Sequence, residues 1–112
     1  MTSVVIKSID KAQVHQCVDE YARELLATCP EVEEIVVFGS FERRNYARGS
    51  DVDIFILLSS SDRSVRDRIP QLLPDTFPVG VDLLPYTREE VTALEPSSLL
   101  DTVRESRWRY QR

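Results

Sequence analysis

Residues 11–28, KAQVHQCVDEYARELLAT, place Val14, Val18, Tyr21 and Leu25 at i, i+4, i+7 and i+11. That spacing is one stripe of an amphipathic helix. Asp10 stands where an N-cap would, Gln13 three residues on completes a capping box, and Pro30 ends the helix. The period then changes. EIVVF (34–38) is a short apolar, β-branched run and reads as a buried strand, and DVDIFILL (51–58) as a second. Between them, residues 40–48 read as a short polar helix. Ser59–Asp62 form a turn, and 63–73 a helix that Pro70 must break or kink. FPVGVDLLPY (77–86) reads as a third strand. Thr87 and Glu90 form a capping box that opens TREEVTAL. A last helix starts near Ser98, capped by that serine with Asp101 three residues on, and Trp108 and Tyr110 pack against it. The order α-β-α-β-α-β-α-α describes a small α/β domain with a mixed, mainly three-stranded sheet flanked by helices.

Alternation divides the second strand. Val52, Ile54, Ile56 and Leu58 form an apolar face; Asp51, Asp53, Phe55 and Leu57 form the other, acidic at its entrance and apolar further in. Aspartate is depleted from strands, so this pair requires a reason. The third strand repeats the pattern, and pairing of the two strands would set Asp82 beside Asp51 and Asp53. Clustered carboxylates repel and raise one another's pKa. A cation removes that cost, and oxygen-only ligands select Mg²⁺ or Mn²⁺. Gly39-Ser40 follows a strand and precedes a helix, where a close backbone approach, helix N-terminal amides and a hydroxyl can hold phosphate oxygens. Arg43, Arg44 and Arg48 lie on the same segment, and Arg43 is the one expected to face the phosphates.

The 112 residues amount to one domain, 1–112, and 42% hydrophobic with 29% charged residues is ordinary for a globular protein. The net charge of −5 argues against broad binding to nucleic acid. It is unevenly spread: residues 10–34 carry seven acids and two bases, and residues 101–112 four arginines and two acids. The N-terminus lacks the apolar core of a signal peptide, and no apolar run of membrane-spanning length (about 18 residues) occurs. Cys17 and Cys29 show no metal-ligand spacing and read as reduced thiols, which implies a soluble cytoplasmic protein. The single histidine, His15, is followed by Gln16-Cys17 and so forms no HxE pair; it lies near the apolar stripe of the first helix and reads as structural. P-loop and dinucleotide-binding glycine patterns do not occur.

The compound stretch GSFERRNYARGSDVDIFILL, followed by GVDLLPYTREEV, resembles the minimal nucleotidyltransferases of the DNA polymerase β superfamily. Their signature is GS, a nine-residue spacer, [ST]DxD and a third carboxylate on a later strand. The likeness is close over residues 34–92, and LLDTVRESRWRY is similar to the family's final helix and aromatic tail. The resemblance implies a nucleotidyltransferase fold in which Gly39 and Ser40 bind the triphosphate of ATP or another nucleoside triphosphate. Asp51, Asp53 and Asp82 would hold Mg²⁺ or Mn²⁺ and form the catalytic site. A chain this short has no second domain to grip an acceptor. It is similar to antitoxin members whose partners are helical HEPN-type toxins, and which transfer AMP from ATP to a tyrosine of the toxin. The basic tail Arg107–Arg112 and the sheet edge are the surfaces expected to meet such a partner. Glu42 and Arg44 stand where the family carries a small residue and a glycine. They favour an alternative in which the protein neutralises its partner by contact alone. A second alternative is a nucleotidyltransferase acting on a small molecule.

Overall fold

The computed structural model describes residues 11–39 and 51–112. Helix α1 (Lys11–Thr28) leads into strand β1 (Val32–Phe38), and after the 40–50 segment the chain runs into β2 (Val52–Leu58). Helix α2 (Val65–Leu72) leads to β3 (Val81–Thr87), followed by α3 (Arg88–Leu94), α4 (Ser98–Glu105) and β4 (Trp108–Gln111). The sheet order is β3-β2-β1-β4. β1 is antiparallel to both β2 and β4, whereas β2 and β3 are parallel. Parallel neighbours need a crossover, and α2 lies within it.

The sheet is therefore mixed, as expected, but with a fourth strand. Trp108, Arg109, Tyr110 and Gln111 pair with Val37, Val36, Ile35 and Glu34 along the free edge of β1, instead of packing on α4. Trp108 and Tyr110 turn toward α1, where the Trp108 indole stacks on His15 at a centroid distance of 4.6 Å and 12° between planes. Ser106, only 4% exposed, holds the turn into β4. Its hydroxyl donates to the Val37 carbonyl at 2.5 Å and accepts from the Trp108 amide at 3.2 Å.

The two faces of β2 bury two separate cores, as its alternation requires. On one face Val52, Ile54, Ile56 and Leu58 meet Val14, Val18, Ala22 and Leu25 of α1, with Ile69 and Leu72 of α2 at the margin. On the other, Val36, Phe38 and Phe55 meet Leu100 and Val103 of α4, with Leu57, Leu84, Tyr86 and Val91 around them. Each fully buried aliphatic side chain in these layers contributes about 1.5–3 kcal/mol.

Local chemistry sets the boundaries. Thr87 and Glu90 form the expected capping box, with Glu90 N–H donating to Thr87 Oγ1 at 3.2 Å and Thr87 N–H donating to Glu90 Oε1 at 2.8 Å. The cap of α4 is Ser97, one residue before the serine expected, and it accepts from the Leu100 amide. Pro70 sits inside α2, which ends two residues later at Leu72. β3 starts at Val81 rather than Phe77, since Pro78 has no amide hydrogen to give to a ladder. Cys17 and Cys29 are free thiols. No helix of the described residues is long and apolar enough to cross a membrane. Asp10, the expected cap of α1, and the expected helix over 40–48 lie outside the described residues.

Candidate active site

The acids meet where β1 ends and β2 and β3 begin. Asp53 is in register with Phe38 of β1 on one side and with Asp82 of β3 on the other. Paired residues of a sheet share a face, so Asp53 and Asp82 rise from the same side. That is the side of Phe55, Leu84 and Tyr86, the core covered by α4. Asp51, two residues before Asp53, lies immediately ahead of β2. The juxtaposition expected from alternation is thus present: the face is acidic at the strand entrances and apolar beyond.

The carboxylates sense one another. Asp53 is half-buried, and its pKa is raised above the ordinary 3.8, first by desolvation, then by the Asp82 charge, then by Asp51. Asp51 and Asp82 are exposed. No ion pair among the described residues involves any of the three. They do not converge on one point either: among the described residues, no group of three or more His, Cys, Asp and Glu side chains is gathered to hold a metal ion. Like charges are close enough to perturb Asp53, yet their repulsion opposes convergence. The donor set, carboxylate oxygens alone, suits Mg²⁺ or Mn²⁺, and side-chain rotation is what would bring all three to one ion.

Two glycines lie against this acidic face. Gly39 follows β1 with φ +82°, a left-handed conformation that favours glycine. A Cβ there would overlap Asp53 Oδ2 and stand 3.4 Å from its Cγ. Gly80, which precedes β3, stands in the same relation to Asp51: a Cβ would overlap Oδ1 and lie 3.0 Å from Cγ. The sequence reading singled out Gly39 and missed Gly80, although the glycine immediately before the Val81-Asp82 strand entrance was visible. Ser40 and Arg43, the other expected phosphate-binding residues, lie outside the described residues, as do Glu42, Arg44 and Arg48.

Asp82 is carried on an edge strand, and that strand is clamped. Arg68 of α2, 5% exposed at its side chain, donates to Glu90 Oε1 at 2.7 Å and Oε2 at 2.9 Å, and to the Pro85 carbonyl at 2.9 Å. The guanidinium thereby joins α2, β3 and α3, and holds the Glu90 carboxyl down at about 2. The C-terminal arginines are similarly engaged within the molecule. Arg109 donates to Glu34 and to the Val103 and Ser106 carbonyls, and Arg112 to the Cys29 and Val32 carbonyls. A cavity of about 450 Å³ lies on the other face of the sheet, lined by Tyr21, Leu25, Leu72 and Phe77 among others, and includes none of the three aspartates. There the Tyr21 hydroxyl donates to the Leu72 carbonyl at 2.6 Å.

Sheet order, crossover and acidic strand entrances together define a nucleotidyltransferase-type domain. Residues 18–108 match the family model described as "Nucleotidyltransferase domain", and the chain belongs to that family. A crystal structure from Sulfolobus solfataricus, of a protein assigned provisionally as a nucleotidyltransferase, superposes with a TM-score of 0.58. The alignment covers 76% of this chain and 77% of that one at 22% identity, a likeness of fold. No curated protein matches the chain.

Proposed function

We propose that this protein is a metal-dependent nucleotidyltransferase that moves AMP from ATP to a hydroxyl on a partner protein. The acceptor in this reading is a tyrosine of a helical HEPN-type toxin, which the transfer silences. The observation that carries the catalytic part is the register of Asp53 with Asp82, with Asp51 just ahead on β2 and Gly39 against Asp53.

Asp51, Asp53 and Asp82 are the residues that would hold Mg²⁺ or Mn²⁺. When bound, the metal supplies positive charge to the triphosphate and acidifies a hydroxyl beside it. Gly39 keeps the end of β1 free of a side chain, which leaves room for the Asp53 carboxylate to lie against it. Ser40 and Arg43 would donate to the phosphate oxygens. Asp82 is exposed on the edge strand, where an acceptor can approach, and would take the proton of the attacking hydroxyl. A new bond forms between the acceptor oxygen and the α-phosphorus, the bond to the bridging oxygen breaks, and pyrophosphate leaves. The apolar ground beyond the acids limits water around Asp53, in keeping with its raised pKa.

A second reading, a binding module that blocks its partner by contact, draws on Glu42 and Arg44, which stand where the family carries a small residue and a glycine. One experiment separates the two. The co-purified helical partner is incubated with this protein, ATP and Mg²⁺, and its intact mass is measured. Whole nucleoside monophosphate units should be added to the partner, and Asp51→Asn/Asp53→Asn should abolish the addition without dissociating the complex. If the double variant neutralises the partner in cells as well as wild type, transfer is dispensable and the contact reading replaces the catalytic one.

A further inference from the structure

Glycine at position 80 is not explained by its backbone. Gly39 is the glycine with a positive φ among the described residues, so Gly80 lies outside the left-handed region and its backbone is open to other residues. Space is what a side chain lacks. A Cβ at 80 would overlap the Asp51 carboxylate. Nor can the segment back away freely, because the Gly80 carbonyl accepts from the Val52 amide at 2.8 Å. That hydrogen bond ties residue 80 to the residue that follows Asp51. The Asp51 carboxylate is exposed, and no hydrogen bond or ion pair among the described residues fixes it. The bare Cα of Gly80 is the ground on which it rests.

We infer that Gly80 is a positioning residue: by lacking a side chain it lets the Asp51 carboxylate lie over the entrance of β3, on the way to Asp82. The inference rests on the reading of Asp51 as a metal ligand. An added methyl group would turn the carboxylate away from that entrance while leaving the ladder hydrogen bond between Gly80 and Val52 in place.

The test measures Mn²⁺ binding directly, by the electron paramagnetic resonance of free Mn²⁺, with a non-hydrolysable ATP analogue present. Wild type, Gly80→Ala, Asp51→Asn, the double variant and Thr76→Ala, a control on the same connecting segment, are compared, each with its urea midpoint. Gly80→Ala should weaken Mn²⁺ binding by roughly 10–100-fold, the usual effect of disturbing a residue that orients a metal ligand. Its urea midpoint should stay at the wild-type value or rise slightly, since alanine narrows the unfolded ensemble. Thr76→Ala should alter neither quantity. The losses in Gly80→Ala and Asp51→Asn should not add, because both remove the same ligand. Unchanged Mn²⁺ affinity in Gly80→Ala, additive losses, or a fall in its urea midpoint large enough to account for the weaker binding would each overturn the inference. If wild type itself takes up no Mn²⁺, the metal reading fails and the role of Gly80 falls with it. Binding by wild type with no loss in Gly80→Ala removes the role of Gly80 alone.

Discussion

Glu90→Gln exchanges one atom in the clamp behind the strand that carries Asp82. The glutamine keeps an oxygen for the Thr87 cap but leaves the Arg68 guanidinium, 5% exposed, without a counter-charge. Breaking one side of a fully buried pair costs about 3–5 kcal/mol. The Glu90 side chain is 37% exposed, so solvent screens part of that interaction, and about 2 kcal/mol is the expected loss. The pKa gives the same scale. The Arg68 hydrogen bonds first, and then the Thr87 amide, lower the Glu90 carboxyl from 4.5 to about 2 against the opposing effect of burial. That shift corresponds to at most about 3 kcal/mol before the same discount for exposure. For a chain of 112 residues a loss of about 2 kcal/mol lowers the thermal midpoint by roughly 8 °C. The sign of the pH dependence follows from linkage. Because the folded value lies below the unfolded one, the contribution is complete above pH 4.5 and fades as pH falls toward 2. Urea unfolding followed by the fluorescence of Trp108, the one tryptophan of the sequence, should show a full wild-type-to-variant gap at pH 7 and a smaller one at pH 3. Equal stabilities at pH 7, or a gap that does not narrow in acid, would refute the assignment of the clamp.

Asp53→Asn should raise the thermal midpoint of the metal-free protein at pH 7, since it removes a desolvated charge facing Asp82 and Asp51; it should also abolish any stabilisation by Mn²⁺ with ATP, and a lower metal-free midpoint would contradict this. Ser106→Ala leaves the Val37 carbonyl and the Trp108 amide without their partner, and urea titration should find about 1–3 kcal/mol lost. A loss of under about 0.5 kcal/mol would mean that water replaces the hydroxyl. Trp108→Ala removes a half-buried indole and its stack on His15, and should lose about 2 kcal/mol, below the 3–5 kcal/mol of a fully buried tryptophan; differential scanning calorimetry checks it, and an unchanged midpoint would show that the stack is incidental.

What could be read from the sequence was what local periodicity encodes. The i, i+4, i+7, i+11 stripe of α1 gave the helix and most of its buried face, with Ala22 buried in addition to Val14, Val18 and Leu25. Strict alternation in β2 gave both cores, and the same alternation in β3 set Asp82 on the side of Asp53 once the strands paired. β4 was missed for the converse reason. A four-residue edge strand in which Arg109 and Gln111 alternate with the two aromatics carries little apolar signal, and its pairing with β1 lies far away in sequence. The aromatic pair Trp108 and Tyr110 was recognised as packing, but the surface it packs on belongs to the tertiary fold. Phe77–Gly80 looked like strand because Phe77 and Val79 are apolar, although Pro78 argued for a later start. Gly80 went unnoticed because its role is to leave a space, and nothing in a single sequence records which neighbour needs it.

The pairing of β4 with β1 also sets a timetable. Ile35, Val36 and Val37 are completely buried, and β1 receives its second neighbour from residues about 75 positions later, as the Arg109–Glu34 contact marks. At about 5–20 residues per second, a ribosome needs roughly 4–15 s to deliver those residues after β1 has been made. During that interval β1 can pair with β2, while its other edge presents a β-branched, apolar backbone to whatever is nearby. An unpaired edge of this kind is a template for association with another chain. Nascent or truncated forms that stop short of Trp108 should therefore tend to aggregate rather than persist as a smaller soluble domain. Slower synthesis lengthens the wait, whereas lower temperature and fewer ribosomes per message reduce the encounters made during it.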